Sequence, residues 1–274
     1  MPSITENLDY WEREYDWDQG GEGWSGPWGD PSAQWYGSIL PRVRHFLPVQ
    51  SVLEIAPGFG RWTQFLLDHC DTLIGVDLAP KCVEACRQRF ADYENARFDT
   101  NNGQSLPMVA DSSIDFAFSY DSLVHVEGET LASYLSELAR VLKPEGVAFL
   151  HHSNYGAYQR SAHVFEPLQG IFDRLPPMVR AGLIRTGTYR GTHMRATTVT
   201  AARFAEQCHE VGLNCVVQEL VNWEGGVLLL DCLSVVVRPG SRWDHPNHVV
   251  KNRLFRIGAR AVRRSDNAYK QEDR

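Results

Sequence analysis

The segment Val52-Leu53-Glu54-Ile55-Ala56-Pro57-Gly58-Phe59-Gly60 constrains the fold more than any other part of this 274-residue chain. A buried apolar run that ends in a glycine-rich turn and opens a helix lets backbone N–H groups and a helix N-terminus approach a ligand with no Cβ in the way. Such a turn is a nucleotide cradle. The next apolar run, Thr72-Leu73-Ile74-Gly75-Val76, ends at Asp77, whose carboxylate would sit beside the cradle and accept hydrogen bonds from two ribose hydroxyls. A dinucleotide fingerprint needs a third glycine three residues after Gly60, and Thr63 stands there, which disfavours NAD.

With Glu54 on the strand, the pattern resembles motif I of the class I S-adenosylmethionine (SAM) dependent methyltransferases: an acidic residue, an apolar residue, then G-x-G-x-G, with Ala56 in place of the first glycine. Further segments follow in that family's order. A helix at roughly Lys81–Tyr93 precedes Arg97-Phe98-Asp99-Thr100 and Ile114-Asp115-Phe116-Ala117-Phe118-Ser119, which look like its third and fourth strands. Leu135–Leu142 leads into Lys143-Pro144-Glu145-Gly146, a helix stop and tight turn, and Val147-Ala148-Phe149-Leu150 is a fifth strand. The resemblance covers about residues 50–152 and continues less specifically to about 238. It implies an α/β fold, a Rossmann-like doubly wound sheet of seven strands with the last antiparallel. It also implies SAM as cofactor, held by Glu54, Ala56, Gly58, Gly60, Asp77, Leu78, Asn102, Gly103 and Tyr120. Asn102 stands where the family has an Asp that accepts from the adenine amino group, and an Asn amide oxygen can still accept.

A chain of this length with 43% hydrophobic residues suits one elaborated domain. The expected parts are an N-terminal lid (1–48), the SAM-binding domain (49–238, with an acceptor-cap insertion at 155–198) and a basic helix and tail (239–274). No apolar run approaches the roughly 20 residues of a membrane span, and Met1-Pro2-Ser3-Ile4-Thr5-Glu6 does not read as a secretory signal. The six cysteines lack a C-x-x-C pair and read as reduced thiols of a cytoplasmic protein, with Cys82 and Cys86 as small core residues. A net charge of −7 offers no basic envelope for nucleic acid. Residues 1–30 carry eight acidic side chains against Arg13 alone, whereas the tail from Arg238 to Arg264 is basic, so the two ends should attract each other. The segment Val249–Arg264 reads as an amphipathic helix that docks on the body, and with the aromatic N-terminus it supplies a candidate homodimer interface.

Five of the eight tryptophans (Trp11, Trp17, Trp24, Trp28, Trp35) fall within residues 1–48, around the flexible stretch Gly20–Gly29. Glycine beside large aromatics suits a lid over bound ligand, and aromatic faces stack on sugars and adenine; covering a sheet edge is an equally good use of the same rings. The insertion after the fifth strand brings Tyr158, His163, Tyr189 and His193 toward the edge where doubly wound folds bind ligands. Thr200–Val211 is a threonine-capped helix, and Leu213–Val221 with Val227–Val237 form a closing antiparallel hairpin.

Methyl transfer is an in-line displacement that depends first on positioning, and an alcohol acceptor must also lose a proton to a base or a metal. Tyr120-Asp121-Ser122-Leu123-Val124-His125 and His151-His152-Ser153-Asn154 follow the fourth and fifth strands and supply candidates for that role. Alternation sends His151 and His152 to opposite sides of the sheet. The preferred base is His152, oriented by Asp121, with His125 on the same face as Asp121; structural histidines are the competing explanation, above all for His125, which could cap the following helix. An Asp and a His at this edge also suit a magnesium ion, although no dedicated metal box is present.

The same two segments resemble bacterial sugar and polysaccharide O-methyltransferases, among them the mycobacterial enzymes of methylmannose polysaccharide assembly. That resemblance implies a sugar or oligosaccharide hydroxyl as acceptor. A phenol, polyketide or amine acceptor, a SAM-binding protein without transferase activity and a nicotinamide oxidoreductase are the alternatives.

Overall fold

The computed structural model describes residues 3–17, 19–158, 171, 174–186, 195–223 and 226–270. Its strands are β1 (Val49–Ile55), β2 (Cys70–Asp77), β3 (Ala96–Thr100), β4 (Ile114–Ser119), β5 (Leu142–Ser153), β6 (Asn214–Val221), β7 (Asp231–Val237) and β8 (His248–Asn252). They form one sheet in the order β3-β2-β1-β4-β5-β7-β6-β8. β1 to β5 pair in parallel, and β7 runs antiparallel to both β5 and β6.

Both sheet faces are covered, which is why the central strands read as nearly unbroken apolar runs. Val52, Phe116, Phe118 and Phe149 pack toward Trp28, Trp35 and Phe255 on one side. Leu53, Ile55, Ala148 and Leu150 pack toward Leu131, Leu135 and Phe204 on the other. The first side is covered by a helical run α2 (Pro31–Gln34) to α3 (Leu40–Val43) joined through a π-turn, and by α4 (Thr63–Leu66) and α5 (Pro80–Arg89), while α1 (Ile4–Asp9) lies over the sheet edge. The second carries α6 (Gly128–Val141); α7 (Pro177–Thr186) and α8 (Ala201–Glu210) follow in the chain, and α9 (Phe255–Tyr269) ends it. The cap of α8 is as expected: the Thr200 hydroxyl accepts from the Arg203 N–H at 3.0 Å.

Two local expectations fail for physical reasons. Residues 248–252 form an eighth strand, parallel to β6, where a helix from Val249 is expected. The β-branched pair Val249-Val250 satisfies the otherwise open backbone edge of β6, and the helix starts only at Phe255. Lys143-Pro144-Glu145-Gly146 is no free turn but a bulge inside β5: Ile114 pairs with Leu142, while Phe116 pairs with Val147. Gly146 is needed there because an added Cβ would lie 2.7 Å from the Ile114 carbonyl oxygen.

The chain ends do meet. α9 buries Phe255 and Ala259, Val262 packs where Gly37 has no Cβ, and Lys270 pairs with both Asp30 and Asp266. Among the described residues no helix is long and apolar enough to cross a membrane.

Candidate active site

The carboxyl ends of β1, β2, β4 and β5 share one edge of the sheet, and the turn after β1 is built from left-handed backbone. Ala56 has φ +57°, Gly58 +59° and Gly60 +82°. The Ala56 N–H donates to the Val76 carbonyl at 2.7 Å. The Gly58 N–H donates to Asp77 Oδ2 at 3.0 Å, and the Ala79 N–H to Oδ1 at 2.9 Å. One carboxylate thus ties the glycine turn to the end of β2. Burial pushes Asp77 up to about 6, against the pull of the Ala79 and Gly58 N–H groups.

Beneath the turn, Glu54 accepts from the Thr63 hydroxyl at 2.5 Å through one oxygen, while the other has no partner. Burial raises this carboxyl to about 8, so it holds its proton near neutrality. Gly60 serves packing, since a Cβ there would lie 2.3 Å from Phe90 Cε2.

Above the edge, the N-terminal segment closes a cavity of about 130 Å³. Ala56, Gly58, Asp77, Leu78, Gly103 and Tyr120 line it, whereas Glu54, Gly60 and Asn102 do not. The Asn102 oxygen is turned into its own loop, where it accepts from the Gln104 and Ser105 N–H groups and the Ser105 hydroxyl. Trp11, Trp17 and Trp24 form part of the roof. The Trp17 ring stacks on Phe59 at 4.4 Å with an interplanar angle of 1°, and its indole N–H donates to the Trp11 carbonyl at 2.9 Å. Asn7 Nδ2 donates to the His125 carbonyl at 3.0 Å, fixing α1 across the site.

At the end of β4, Asp121 adopts φ +64° and forms a buried ion pair with Arg61 at 2.9 Å. Its N–H donates to His151 Nδ1 at 3.1 Å, which leaves the imidazole proton on Nε2, facing Asp231 Oδ2 at 3.4 Å. Arg195 grips Asp231 with two bonds of 2.7 and 2.8 Å. Burial raises the Asp231 carboxyl, but the Arg195 charge outweighs it and holds Asp231 well below the usual carboxylate range.

The candidate histidines separate. His125 and Asp121 both line the cavity. His151 and His152 point to opposite faces, as strand alternation requires: His151 lies against Tyr120 and Trp223, and His152 stacks on Phe204 of α8 at 3.9 Å. His152 is therefore turned away from the cavity. Its Nδ1–H donates to the Ser153 carbonyl at 2.9 Å and its Nε2 accepts from the Ser234 hydroxyl at 2.8 Å. Burial pushes this imidazole down to about 4, leaving it neutral.

Of the insertion candidates, Tyr158 accepts from the Leu229 N–H at 3.2 Å, and His163, Tyr189 and His193 lie outside the described residues. Among the described residues no three His, Cys, Asp or Glu side chains gather in a way that could hold a metal ion. The residues that sequence reasoning passed over are Arg61 and Trp62, which line the cavity directly after Gly60. Their position, following the last glycine at the strand's carboxyl edge, is the signal that could have found them.

A parallel sheet closed by an antiparallel hairpin, with a glycine turn tied to an acidic residue at the end of the next strand, defines a Rossmann-like α/β fold. Residues 52–146 match the family described as a methyltransferase domain. The fold is shared with a protein solved as the DhpI-SAH complex: TM-score 0.56 at 16% identity, over 86% of this chain and 97% of that one. It is also shared with a chain from the complex of the Trm112 methyltransferase activator and its partner from Haloferax volcanii: TM-score 0.50 at 17% identity, over 80% of this chain and 98% of that one. Among curated proteins, the biotin biosynthesis bifunctional protein BioHC of Cellvibrio japonicus is 34% identical over 117 residues, 41% of this chain and 22% of its own. Phosphoethanolamine N-methyltransferase 1 of Triticum aestivum is 27% identical over 118 residues, 41% of this chain and 24% of its own. The chain thus matches less than a quarter of the length of either relative. Their names speak of biotin and of N-methylation, not of a sugar.

Proposed function

We propose that this protein transfers a methyl group from S-adenosylmethionine to a hydroxyl of a sugar or oligosaccharide. The observation that carries the first half is Asp77, a buried carboxylate bonded to the glycine-turn N–H and lining the cavity. Each of its oxygens carries one backbone N–H and keeps a lone pair for a ribose hydroxyl, and Gly58 leaves the approach clear of a Cβ. The cradle therefore fits the cofactor, which when bound supplies a methyl group on a positively charged sulfur.

The rest is done by the chain. The roof of Trp11, Trp17 and Trp24 excludes water and offers ring faces to the apolar faces of a sugar. His125 takes the role first assigned to His152: it lines the cavity and accepts the proton of the reacting hydroxyl, while Asp121 and Arg61 fix the adjoining wall. His151, with its proton on Nε2, holds the backbone of Asp121 and positions it. Magnesium would have to act with fewer than three His, Cys, Asp or Glu ligands from the described residues.

The test is calorimetry with SAM and its demethylated product SAH, followed by a panel of methyl glycosides and oligosaccharides with labelled SAM, with and without EDTA. Absence of heat from both nucleosides refutes the enzyme. Amine acceptors form the second reading, favoured by Trp11, Trp17 and Trp24, which line the cavity and whose ring faces attract a cation. Product analysis separates an O-methyl from an N-methyl group.

A further inference from the structure

Buried polar side-chain atoms without hydrogen-bond partners are rare, because each forfeits its water without compensation. In this protein several of them cluster at one end of the cavity. Arg61 Nη1, Trp62 Nε1 and the Tyr120 hydroxyl have no partner. Their residues are 8%, 3% and 3% exposed, and all three line the cavity. They are also neighbours: the Arg61 guanidinium lies 4.6 Å over the Trp62 ring, and the Trp62 and Tyr120 rings meet edge to face at 5.6 Å. Behind them the Gln34 amide, fully buried, approaches the Tyr120 hydroxyl without reaching hydrogen-bond geometry.

We propose that Arg61, Trp62 and Tyr120 form a recognition site for neutral oxygen atoms, the hydroxyl and ring oxygens of a polyhydroxylated acceptor. The proposal rests on the transferase reading above and names the residues that choose its acceptor. Its chemistry follows from what each group can and cannot do. Guanidinium and indole N–H groups only donate, so the ligand must bring acceptors. A protonated amine brings donors alone and leaves both nitrogens unpaired. A carboxylate or phosphate is disfavoured for a different reason: Arg61 already spends its charge on Asp121 at 2.9 Å, so a second anion at Nη1 would sit beside the Asp121 carboxylate. A hydroxyl meets neither objection, and it can accept from Arg61 or Trp62 while donating to the Tyr120 oxygen.

The placement sets Tyr120 apart from the ribose-binding carboxylate. Asp77 ends β2 and Tyr120 follows β4, with β1 between them. Two strand spacings amount to about 9–10 Å. Tyr120 thus lies on the side of the sheet edge that carries His125, and Arg61 and Trp62, which follow the glycine turn of β1, bridge from the Asp77 cradle toward it.

Tyr120→Phe deletes one unpaired hydroxyl and nothing else. The ligand-free variant should melt at the same temperature as the wild type or higher, since it sheds an uncompensated polar atom. The family resemblance implies Tyr120 among the SAM contacts; with its hydroxyl given instead to the acceptor, the variant's affinity for SAH, read by calorimetry, should stay within about twofold. KM for the best-methylated glycoside of the panel should rise about 10-fold or more, with kcat within about threefold. Trp62→Phe keeps a ring beneath Arg61, removes the indole donor and repeats the test independently. A fall in ligand-free melting temperature of more than about 4 °C in both variants overturns the proposal, because the atoms then have structural partners. A 10-fold loss of SAH affinity also overturns it, by assigning the donors to the cofactor. Unchanged glycoside KM defeats the acceptor site alone, whereas a wild type that binds SAH and methylates only amines defeats both the site and the sugar reading. If the wild type binds no SAH, the transferase reading fails. The acceptor site is then decided by whether glycosides raise the melting temperature of the wild type and not of Tyr120→Phe.

Discussion

Replacing Asp77 by Asn separates what the site costs the fold from what it gives the ligand. The Asp77 carboxyl is raised from 3.8 to about 6, chiefly by burial. Below pH 3.8 it is protonated in the folded and the unfolded chain alike and costs nothing. As pH rises toward 6 the unfolded chain ionises first, so stability is lost across that window and levels off above it. A rise of about 2 pKa units corresponds to about 3 kcal/mol, and the group is too buried for solvent to screen much of this. Asp77→Asn removes the titration. Against that gain, Asn offers one carbonyl oxygen to the Gly58 and Ala79 N–H groups that two oxygens now serve, a loss of about 1–3 kcal/mol that does not vary with pH. The variant should therefore start less stable than the wild type at pH 4 and draw level with or pass it by pH 7, the difference moving by about 3 kcal/mol. Urea unfolding at half-unit steps from pH 4 to pH 7 measures this directly. In the same variant SAH affinity should fall by on the order of 10²-fold, since about 3 kcal/mol of charge-assisted hydrogen bonding to ribose is lost. Parallel pH curves for the two proteins, or SAH affinity within threefold of wild type, would refute the assignment of Asp77 as a strained, ligand-bearing carboxylate.

Glu54→Gln should show the same sign over a wider window. Burial raises that carboxyl from 4.5 to about 8, so the variant should gain on the wild type by about 5 kcal/mol between pH 4.5 and pH 8 in the same unfolding assay. Gly60→Ala forces a Cβ to 2.3 Å from Phe90 Cε2 at φ +82°, and should lower the unfolding free energy by about 2–4 kcal/mol. His125→Gln should reduce kcat by on the order of 10²-fold with little change in melting temperature, as a base in contact with the acceptor requires. His152→Gln should do the reverse, with kcat per folded molecule within a few-fold and a lower melting temperature from the lost stacking on Phe204. Equal kcat losses in the two histidine variants would return His152 to the chemistry.

How much of this was legible depends on the range of the interaction that decides each residue. The cradle was legible because it is local: Gly58, Gly60 and the Asp77 carboxylate lie on adjacent strands whose apolar runs mark their own ends, and Asp77 meets the Gly58 N–H as the spacing requires. The first five strands and the closing hairpin are marked along the chain by the same kind of signal. The tail was misjudged where two periods overlap. Val249 and Val250 fit a helical stripe, but the open edge of β6 offers them a ladder of hydrogen bonds, and the edge wins up to Asn252. Asn102 was assigned to the adenine by family position alone, whereas three local donors from Gln104 and Ser105 occupy its oxygen.

The histidines show the limit most clearly. Alternation fixes that His151 and His152 part ways, yet both are fully buried, so exposure cannot tell which side holds the cavity. What decides it is the partner each face presents: a Ser234 hydroxyl and the Phe204 ring on one side, the Asp121 backbone on the other. Those partners come from β7, α8 and the end of β4, distant in sequence. A polar residue inside a fold is recognised as functional by what it still lacks. His152 has both ring nitrogens engaged, while Glu54, Arg61, Trp62 and Tyr120 each keep an atom unpaired in or beside the cavity. Unpaired polar atoms gathered at one place are a standing cost to the folded state. A bound ligand can repay it, and so the group that Arg61, Trp62 and Tyr120 form on the cavity wall is an argument for binding there.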